Sequence, residues 1–110
     1  KMKVHVMNNS WGGGPYSRAL EDAIKEARDA GILFVAAAGN HANNNDDKPT
    51  YPANYAVENV LSVGAIDNRA NASVWKAANG VIAGGSCYGA KIVHVFAPGT
   101  KIVSTVPGDK

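Results

Sequence analysis

Residues 32–38 read Ile-Leu-Phe-Val-Ala-Ala-Ala, an apolar run that is followed by Gly39 and Asn40. A short run without any polar side chain, bounded by a turn-forming residue, is typical of a strand that is buried on both faces. Such strands occur in parallel sheets that have helices packed against them. We therefore predict a buried strand over 32–38, and this strand decides the fold class.

The segment before this strand has the spacing of a helix. Apolar side chains recur at three- and four-residue intervals from residue 20 to residue 30, as they do on one face of a helix. Glu21 and Asp22 lie where the helix dipole favours acidic side chains, and Gly31 supplies a stop. The pattern predicts a helix over 17–30.

The chain before the helix begins with a strand-like segment. Residues 4–7 are apolar, and they lead into residues 8–15, where glycine and proline interrupt any regular period. Strand, helix and buried strand together form a βαβ unit with two parallel strands. The segments 8–14 and 39–46 should then leave the sheet at the same edge, which is where open parallel sheets bind their ligands.

The second half of the chain contains further strand signals. Stretches typical of strands cover 60–66, 92–96 and 101–106, and each ends at turn-forming residues. Residues 41–52 are polar and turn-rich, as in a surface loop, and 67–91 show no clear period and are predicted mostly as loop. We predict an α/β fold with a mostly parallel sheet in a single domain.

Composition excludes several classes of protein. The formal net charge of +2 is too small and too scattered to indicate a nucleic-acid or membrane partner. No apolar run approaches the roughly 18 residues of a membrane-spanning helix. The single Cys87 cannot form an internal disulfide, and a lone thiol of this kind is typically a small packed side chain. The first residues lack the apolar core of a signal peptide, and we expect a piece of a longer chain.

Two segments at the predicted sheet edge are candidates for a binding site. Small residues dominate both Ser10-Trp11-Gly12-Gly13 and Ala37-Ala38-Gly39-Asn40, so that backbone is open to close approach. Backbone of this kind can pair with an extended peptide by strand addition, and Asn40 would place a neutral amide donor beside it. The alternative is that the glycines only make turns and that Asn40 caps one.

Six short motifs give a family resemblance. In order along the chain they closely resemble the middle of the subtilisin-like serine proteases, with family-like spacing over most of the sequence. The motifs are Asn9-Ser10-Trp11-Gly12-Gly13, Val35-Ala36-Ala37-Ala38-Gly39-Asn40, Tyr51-Pro52-Ala53-Asn54-Tyr55, Val60-Leu61-Ser62-Val63-Gly64-Ala65-Ile66-Asp67, Ser86-Cys87-Tyr88-Gly89 and Phe96-Ala97-Pro98-Gly99.

The resemblance implies a mechanism and a set of site residues. The fold would be part of the doubly wound subtilisin-like fold, and the reaction would be hydrolysis of a peptide or protein by acyl transfer to a serine. Asn40 takes the position whose side-chain amide donates to the oxyanion of the tetrahedral intermediate. Two walls of the substrate pocket would flank it, formed by Ser10, Trp11 and Gly12 on one side and by Ala37, Ala38 and Gly39 on the other. Trp11 has the alternative role of a large apolar rim residue.

The catalytic triad of that family has no counterpart here. His5 and His94 lie in strand patterns, His41 follows Asn40 in a loop, and no serine stands in a Gly-Thr-Ser-Met-Ala setting. The family's order is Asp, His, Ser, so residues 1–110 would form a partial catalytic domain between the His and the Ser, truncated at both ends and inactive alone. The connection 68–85 is also longer than usual in the family, and Cys87 stands where Asn or Ser is more usual.

Other interpretations remain beside the protease fragment. Gly12-Gly13-Gly14 between a strand and a helix resembles a phosphate-binding loop of a nucleotide-binding βαβ domain, although no acid for a ribose follows the second strand. A non-catalytic peptide-binding scaffold, or a degenerate relative of the proteases, is a third interpretation. No cofactor is expected to be required.

Three further expectations concern calcium binding, the compartment of the parent protein and the association of the isolated chain. A hydrated loop explains Asp46-Asp47 better than a calcium site. The resemblance allows a structural calcium in the parent enzyme, and a weak cation site of relatives would fall near Ala53, Tyr55 and Val57. It also implies a secreted or secretory-pathway parent. Unpaired sheet edges should make the isolated chain self-associate.

Overall fold

A parallel four-stranded sheet organises the molecule, and the computed structural model describes residues 3–108 of it. Within these residues the elements are β1 (Val6–Asn9), α1 (Arg18–Asp29), β2 (Leu33–Ala37), β3 (Val60–Ile66), β4 (Val74–Lys76), β5 (Ile82–Gly85) and β6 (Val95–Pro98). The strand order is β1-β2-β3-β6, and each neighbouring pair is parallel. The predicted α/β class and the βαβ unit are confirmed.

The helix α1 follows the sequence pattern closely. The Ser17 side chain caps its first turn by accepting a 3.3 Å hydrogen bond from the backbone N–H of Leu20. At the other end Gly31 has a φ of +73°, a conformation that glycine adopts without a steric penalty. The predicted helix over 17–30 is therefore confirmed, with its two ends as caps.

One face of the sheet carries the main core. Ile24 of α1 is 1% exposed and packs with Phe34 and Ala36 of β2 and with residues of the β2–β3 connection. The hydroxyl of Tyr55 from that connection donates to the Ser17 carbonyl at 3.0 Å and accepts from the Ser17 N–H at 3.0 Å. The start of α1 is thus fixed to the core. The core cluster consists of Ile24, Phe34, Ala36, Ala53, Tyr55, Val57 and Val60.

The predicted strand over 32–38 forms as β2, but the prediction that both of its faces are buried is wrong. Burial alternates along β2, with Phe34 and Ala36 buried and with Leu33 and Ala37 exposed. Successive side chains of a strand point to opposite faces, and α1, the only helix within residues 3–108, covers one of them. An apolar run therefore does not show here that both faces are covered.

The stretch 67–91 is mostly loop, as predicted, but the short strands β4 and β5 form an antiparallel hairpin within it that the sequence did not predict. Two further predictions for residues beyond β3 need correction. The last strand of the sheet is Val95–Pro98 instead of 92–96, because the Asp46 carboxylate holds residues 91 and 92 in a turn by accepting from their backbone N–H groups at 3.1–3.3 Å. No strand forms over 101–106, where Lys101 has a φ of +55° and Val103 is 96% exposed.

The remaining strands lie close to their predicted positions. β3 has the predicted bounds of 60–66, whereas β1 begins and ends two residues later than the predicted 4–7. Cys87 is fully buried and packs with Ala38 and Val93, so the expectation of a small packed thiol is confirmed. Within the part of the chain that the structure describes, no helix has the length and apolar character needed to cross a bilayer.

Candidate active site

A cleft of about 180 Å³ opens at the carboxyl ends of β1 and β2. The parallel register pairs Asn9 with Ala36, so the segments that follow these two strands leave the sheet side by side, as predicted. Among the described residues the cleft is lined by Ser10, Trp11, Gly12, Gly13, Ala37, Gly39, Asn40, His41 and Thr50. The structure thus brings together six of the seven residues selected from the sequence.

The first wall of the cleft follows β1. The buried Asn9 donates its side-chain amide to the Val35 carbonyl at 3.3 Å, which ties the end of β1 to β2. Residues 10–13 then belong to no strand and are exposed, and the Trp11 side chain is 52% exposed. The backbone of residues 10–12 is therefore open to a partner on the cleft side, whereas Gly13 donates its N–H to Tyr51.

Glycine is required in this wall because a neighbouring loop stands behind it. A Cβ on Gly12 would lie 2.8 Å from the carbonyl oxygen of Tyr51, closer than real Cβ contacts. The same carbonyl accepts a 3.1 Å hydrogen bond from the Gly13 N–H. The loop that carries Tyr51 therefore sets the position of the wall.

The second wall follows β2, and each of its carbonyls from residue 38 to residue 40 is held from behind. The Ala38 carbonyl accepts from the side chain of Asn45 at 2.8 Å, and the Gly39 carbonyl accepts from the Cys87 N–H at 2.9 Å. The Asn40 carbonyl accepts from the Gly85 N–H at 3.1 Å. The backbone of this wall is thereby fixed with its carbonyls turned into the protein.

Ala38 is the residue selected from the sequence that does not line the cleft. Its side chain is 1% exposed and packs with Cys87 and Val93 beneath the wall. Gly39, next to it, has a φ of +113°, and a Cβ there would lie 3.0 Å from the Cys87 sulfur. Ala38 and Cys87 support the wall from below.

The Asn40 side chain is exposed at the cleft and accepts or donates no hydrogen bond within residues 3–108. An amide held by a fixed backbone, with its N–H groups free, is suited to donate to an oxygen atom of a bound molecule. His41 is the one titratable group among the described lining residues. The cleft therefore offers neutral donors and open backbone more than charge.

Gly13 also lines the cleft; it belongs to the first candidate segment, although the family resemblance gave it no role in the pocket walls. Two lining residues lie outside both candidate segments, namely His41 and Thr50. His41 directly follows the second segment, so extending that segment by one position would have found it. Thr50 lies in the polar stretch that was assigned to a surface loop, and nothing in its immediate sequence marks it. It reaches the cleft because that loop folds back against Gly39.

Within residues 3–108 no cluster of three or more His, Cys, Asp or Glu side chains has the arrangement of a metal site. The carbonyl oxygens of Tyr55 and Val57, near the cation site that the family resemblance suggests, accept backbone hydrogen bonds from Val57 and Val60, each at 2.9 Å. Asp46 is occupied with the backbone of residues 91 and 92.

Known proteins with similar sequences identify the family. Subtilisin-like protease 2 of Plasmodium falciparum (isolate 3D7) is 34% identical over 111 residues, which cover 97% of this chain and 8% of the relative. Fervidolysin of Fervidobacterium pennivorans is 38% identical, with 94% of this chain and 13% of the relative covered. Subtilisin DY of Bacillus licheniformis is 37% identical, with 96% of this chain and 34% of the relative covered.

This chain therefore spans about a third or less of the length of these relatives. The sequence pattern of the subtilase family, Peptidase S8, matches residues 1–109. The parallel sheet and the order of the motifs agree with that match. The chain belongs to the subtilase family.

Proposed function

We propose that this chain is the part of a serine endopeptidase that binds the substrate backbone and stabilises the oxyanion, while the Asp, His and Ser of the triad are supplied by other parts of the same protein. Membership of the subtilase family supports the serine protease class. The observation that carries the finer proposal is the free amide of Asn40 at the edge of a cleft whose backbone is held by hydrogen bonds from behind.

In this proposal the substrate lies between the two walls as an extended strand. The backbone of Ser10, Trp11 and Gly12, which is exposed and unpaired within residues 3–108, hydrogen-bonds to the substrate on one side. Ala37, Gly39 and Thr50 form the opposite side of the pocket that receives a substrate side chain. Ala38 contributes by supporting that side from below instead of by touching substrate.

Asn40 acts when the carbonyl carbon of the substrate becomes tetrahedral. Negative charge then develops on the carbonyl oxygen, and a donor that is already in place stabilises this charge without reorganisation. Because the interaction strengthens from the ground state to the transition state, it lowers the barrier to acyl transfer more than it strengthens substrate binding.

The nucleotide-binding alternative finds little support in the geometry. A phosphate loop needs free backbone N–H groups at the start of the following helix. At the start of α1 the Leu20 N–H is bound to the Ser17 side chain, and the Ser17 N–H is bound to the Tyr55 hydroxyl. Gly13 likewise donates its N–H to Tyr51.

The test uses the full-length protein that contains this chain. We expect it to hydrolyse an extended chromogenic peptide and to be labelled at one serine by a fluorophosphonate probe, since both reactions need an activated nucleophile and an oxyanion site. Substitution of the labelled serine by alanine is the control and should abolish both signals. A folded full-length protein that binds peptides without hydrolysis or labelling would support the scaffold interpretation instead.

A further inference from the structure

Asn45 is a fully buried polar residue inside a segment that the sequence assigns to a surface loop. It lies between β2 and β3 in a run of three asparagines, and its exposure is 0%. A buried amide is costly unless its polar atoms are hydrogen-bonded, so its partners indicate what its burial achieves.

The side chain of Asn45 joins the two residues that flank the wall after β2. Its amide nitrogen donates to the carbonyl of Ala38 at 2.8 Å. Its amide oxygen accepts from the hydroxyl of Thr50 at 3.2 Å. The Asn45 side chain thus connects Ala38, which directly follows β2, to Thr50, which packs against Gly39.

The backbone of Asn45 is held just as firmly. Its N–H donates to the Tyr88 carbonyl at 2.6 Å, and its carbonyl accepts from the Asn54 side chain at 2.8 Å. The residue is therefore attached to two other segments of the chain, and its amide has little freedom to move. It is a rigid support rather than a loop residue that happens to touch the strand.

The bond to Ala38 differs from the bonds to the next two carbonyls. Those of Gly39 and Asn40 are held by backbone N–H groups, whereas that of Ala38 is held by the Asn45 side chain. Only this bond can be removed by a substitution that leaves the backbone unchanged. The peptide that this bond fixes precedes Gly39, whose φ is +113°. Because glycine has access to many backbone conformations, its own sterics do not fix this one.

The bond to Thr50 also determines which part of that side chain faces the wall. Because the hydroxyl is directed to Asn45, the methyl group lies 3.2 Å from the position that a Cβ on Gly39 would take. The methyl group is thereby held against the residue before Asn40. Loss of the Asn45 amide would free Thr50 to rotate.

We propose that Asn45 is a positioning residue for Asn40, holding the peptide before Gly39 and the Thr50 side chain so that the Asn40 amide stays aimed at the oxyanion. This inference rests on the proposed function of Asn40 and extends it to a residue that touches neither substrate nor reacting atoms. A misplacement of a catalytic group by about 1 Å can cost about 10²-fold in rate.

The experiment is a double-mutant cycle in the full-length protein, with Asn45→Ala, Asn40→Ala and both together. We expect Asn45→Ala to lower kcat by about tenfold to hundredfold with KM changed by less than about threefold. In the Asn40→Ala background the same substitution should lower kcat by less than about twofold, because the group that it positions is already gone. Rates are expressed per folded molecule, counted by circular dichroism, because fluorophosphonate labelling itself depends on the oxyanion site.

Asn43→Ala is the matched control, since Asn43 lies two positions earlier and its side chain makes no hydrogen bond within residues 3–108. It should keep the unsubstituted kcat. If Asn45→Ala does not fold, Asn45→Leu replaces it, because leucine fills a space similar to that of asparagine but can neither donate to Ala38 nor accept from Thr50. We expect the same loss of kcat and the same dependence on Asn40.

The outcomes separate the two proposals. An unchanged kcat, or an equal loss with and without Asn40, would overturn the role of Asn45 while leaving the protease function intact. Absence of hydrolysis by the unsubstituted full-length protein would overturn the proposed function and this role together. Loss that depends on Asn40 supports both.

Discussion

The backbone N–H of Gly85 donates a 3.1 Å hydrogen bond to the carbonyl oxygen of Asn40, and the Gly85 carbonyl in turn accepts from the Ala42 N–H at 2.9 Å. The β4–β5 hairpin is therefore attached directly to the residue that we place in the oxyanion site. The hairpin lies within the connection 68–85, which the family resemblance predicts to be longer than usual. Its base is part of the support of the cleft.

The first prediction concerns Gly84, the residue before that attachment. A Cβ on Gly84 would lie 2.6 Å from the Asn40 carbonyl oxygen, and a backbone atom held in a turn cannot give way as a flexible side chain can. We expect Gly84→Ala in the full-length protein to displace Asn40 and to lower kcat by about tenfold or more. Steady-state kinetics on a chromogenic peptide measure this.

Gly14→Ala serves as the control for Gly84→Ala. A Cβ on Gly14 meets no atom within 4 Å, and its φ lies outside the region that only glycine favours. Its kcat should stay within about twofold of the unsubstituted value. Equal kcat for both variants would show that the hairpin does not hold Asn40 in place.

The sequence predicted those parts of the fold that are determined by residues close together in the chain. The helix α1 and strand β3 follow from spacing and composition within a single stretch. The common edge of the segments after β1 and β2 follows from the parallel βαβ unit alone. These features need no knowledge of distant contacts.

The burial of Asn45 and the late start of β6 could not be predicted, because both depend on contacts between residues far apart in the sequence. Asn45 is buried because Ala38, Thr50 and Tyr88 meet around it. Nothing in the run of three asparagines distinguishes Asn45, the last of them, from the other two. β6 begins later than predicted because the residues before it form a turn that is held by Asp46, 45 residues before Lys91. Composition made both residues look like parts of a hydrated surface.

The second prediction is that residues 1–110 alone do not hydrolyse peptides. A serine becomes a nucleophile when a base lies within hydrogen-bond reach, and within residues 3–108 no serine hydroxyl bonds to a histidine. His94, for example, accepts from the Ser62 backbone N–H at 2.9 Å instead. The purified chain should show no turnover of chromogenic peptides and no fluorophosphonate labelling. Stoichiometric labelling of any serine would contradict this.

The third prediction is that the isolated 110-residue chain self-associates. β1 and β6 form the two edges of the described sheet, and apolar side chains are exposed on both, with Val6 56% and Val95 45% exposed. Unpaired strand edges of this kind act as templates for other chains. The mean mass from light scattering should rise with protein concentration. A constant monomer mass at the highest soluble concentration would count against edge pairing.

The last prediction depends on how Asn40 is presented. Its carbonyl is bound to Gly85, whereas its side chain is exposed in the cleft and free of hydrogen bonds within the described part of the chain. A turn-capping asparagine would instead use its side chain on a nearby backbone N–H. The geometry therefore favours a donor for a bound molecule over the structural alternative.

In the full-length protein we expect Asn40→Ala to lower kcat by about 10²–10³-fold, equivalent to about 2.7–4 kcal/mol, which is the magnitude known for the oxyanion-site asparagine of subtilisin itself. KM should change little, because the lost interaction is strongest in the transition state. Asn40→Asp should be at least as damaging, since an ionised carboxylate cannot donate and faces the oxyanion as a like charge. Steady-state kinetics of both variants, with the Asn43→Ala variant as control, give the comparison. The assignment would be wrong if Asn40→Ala kept the unsubstituted kcat while substitution of the reactive serine abolished activity. Asn40 would then be only a turn residue.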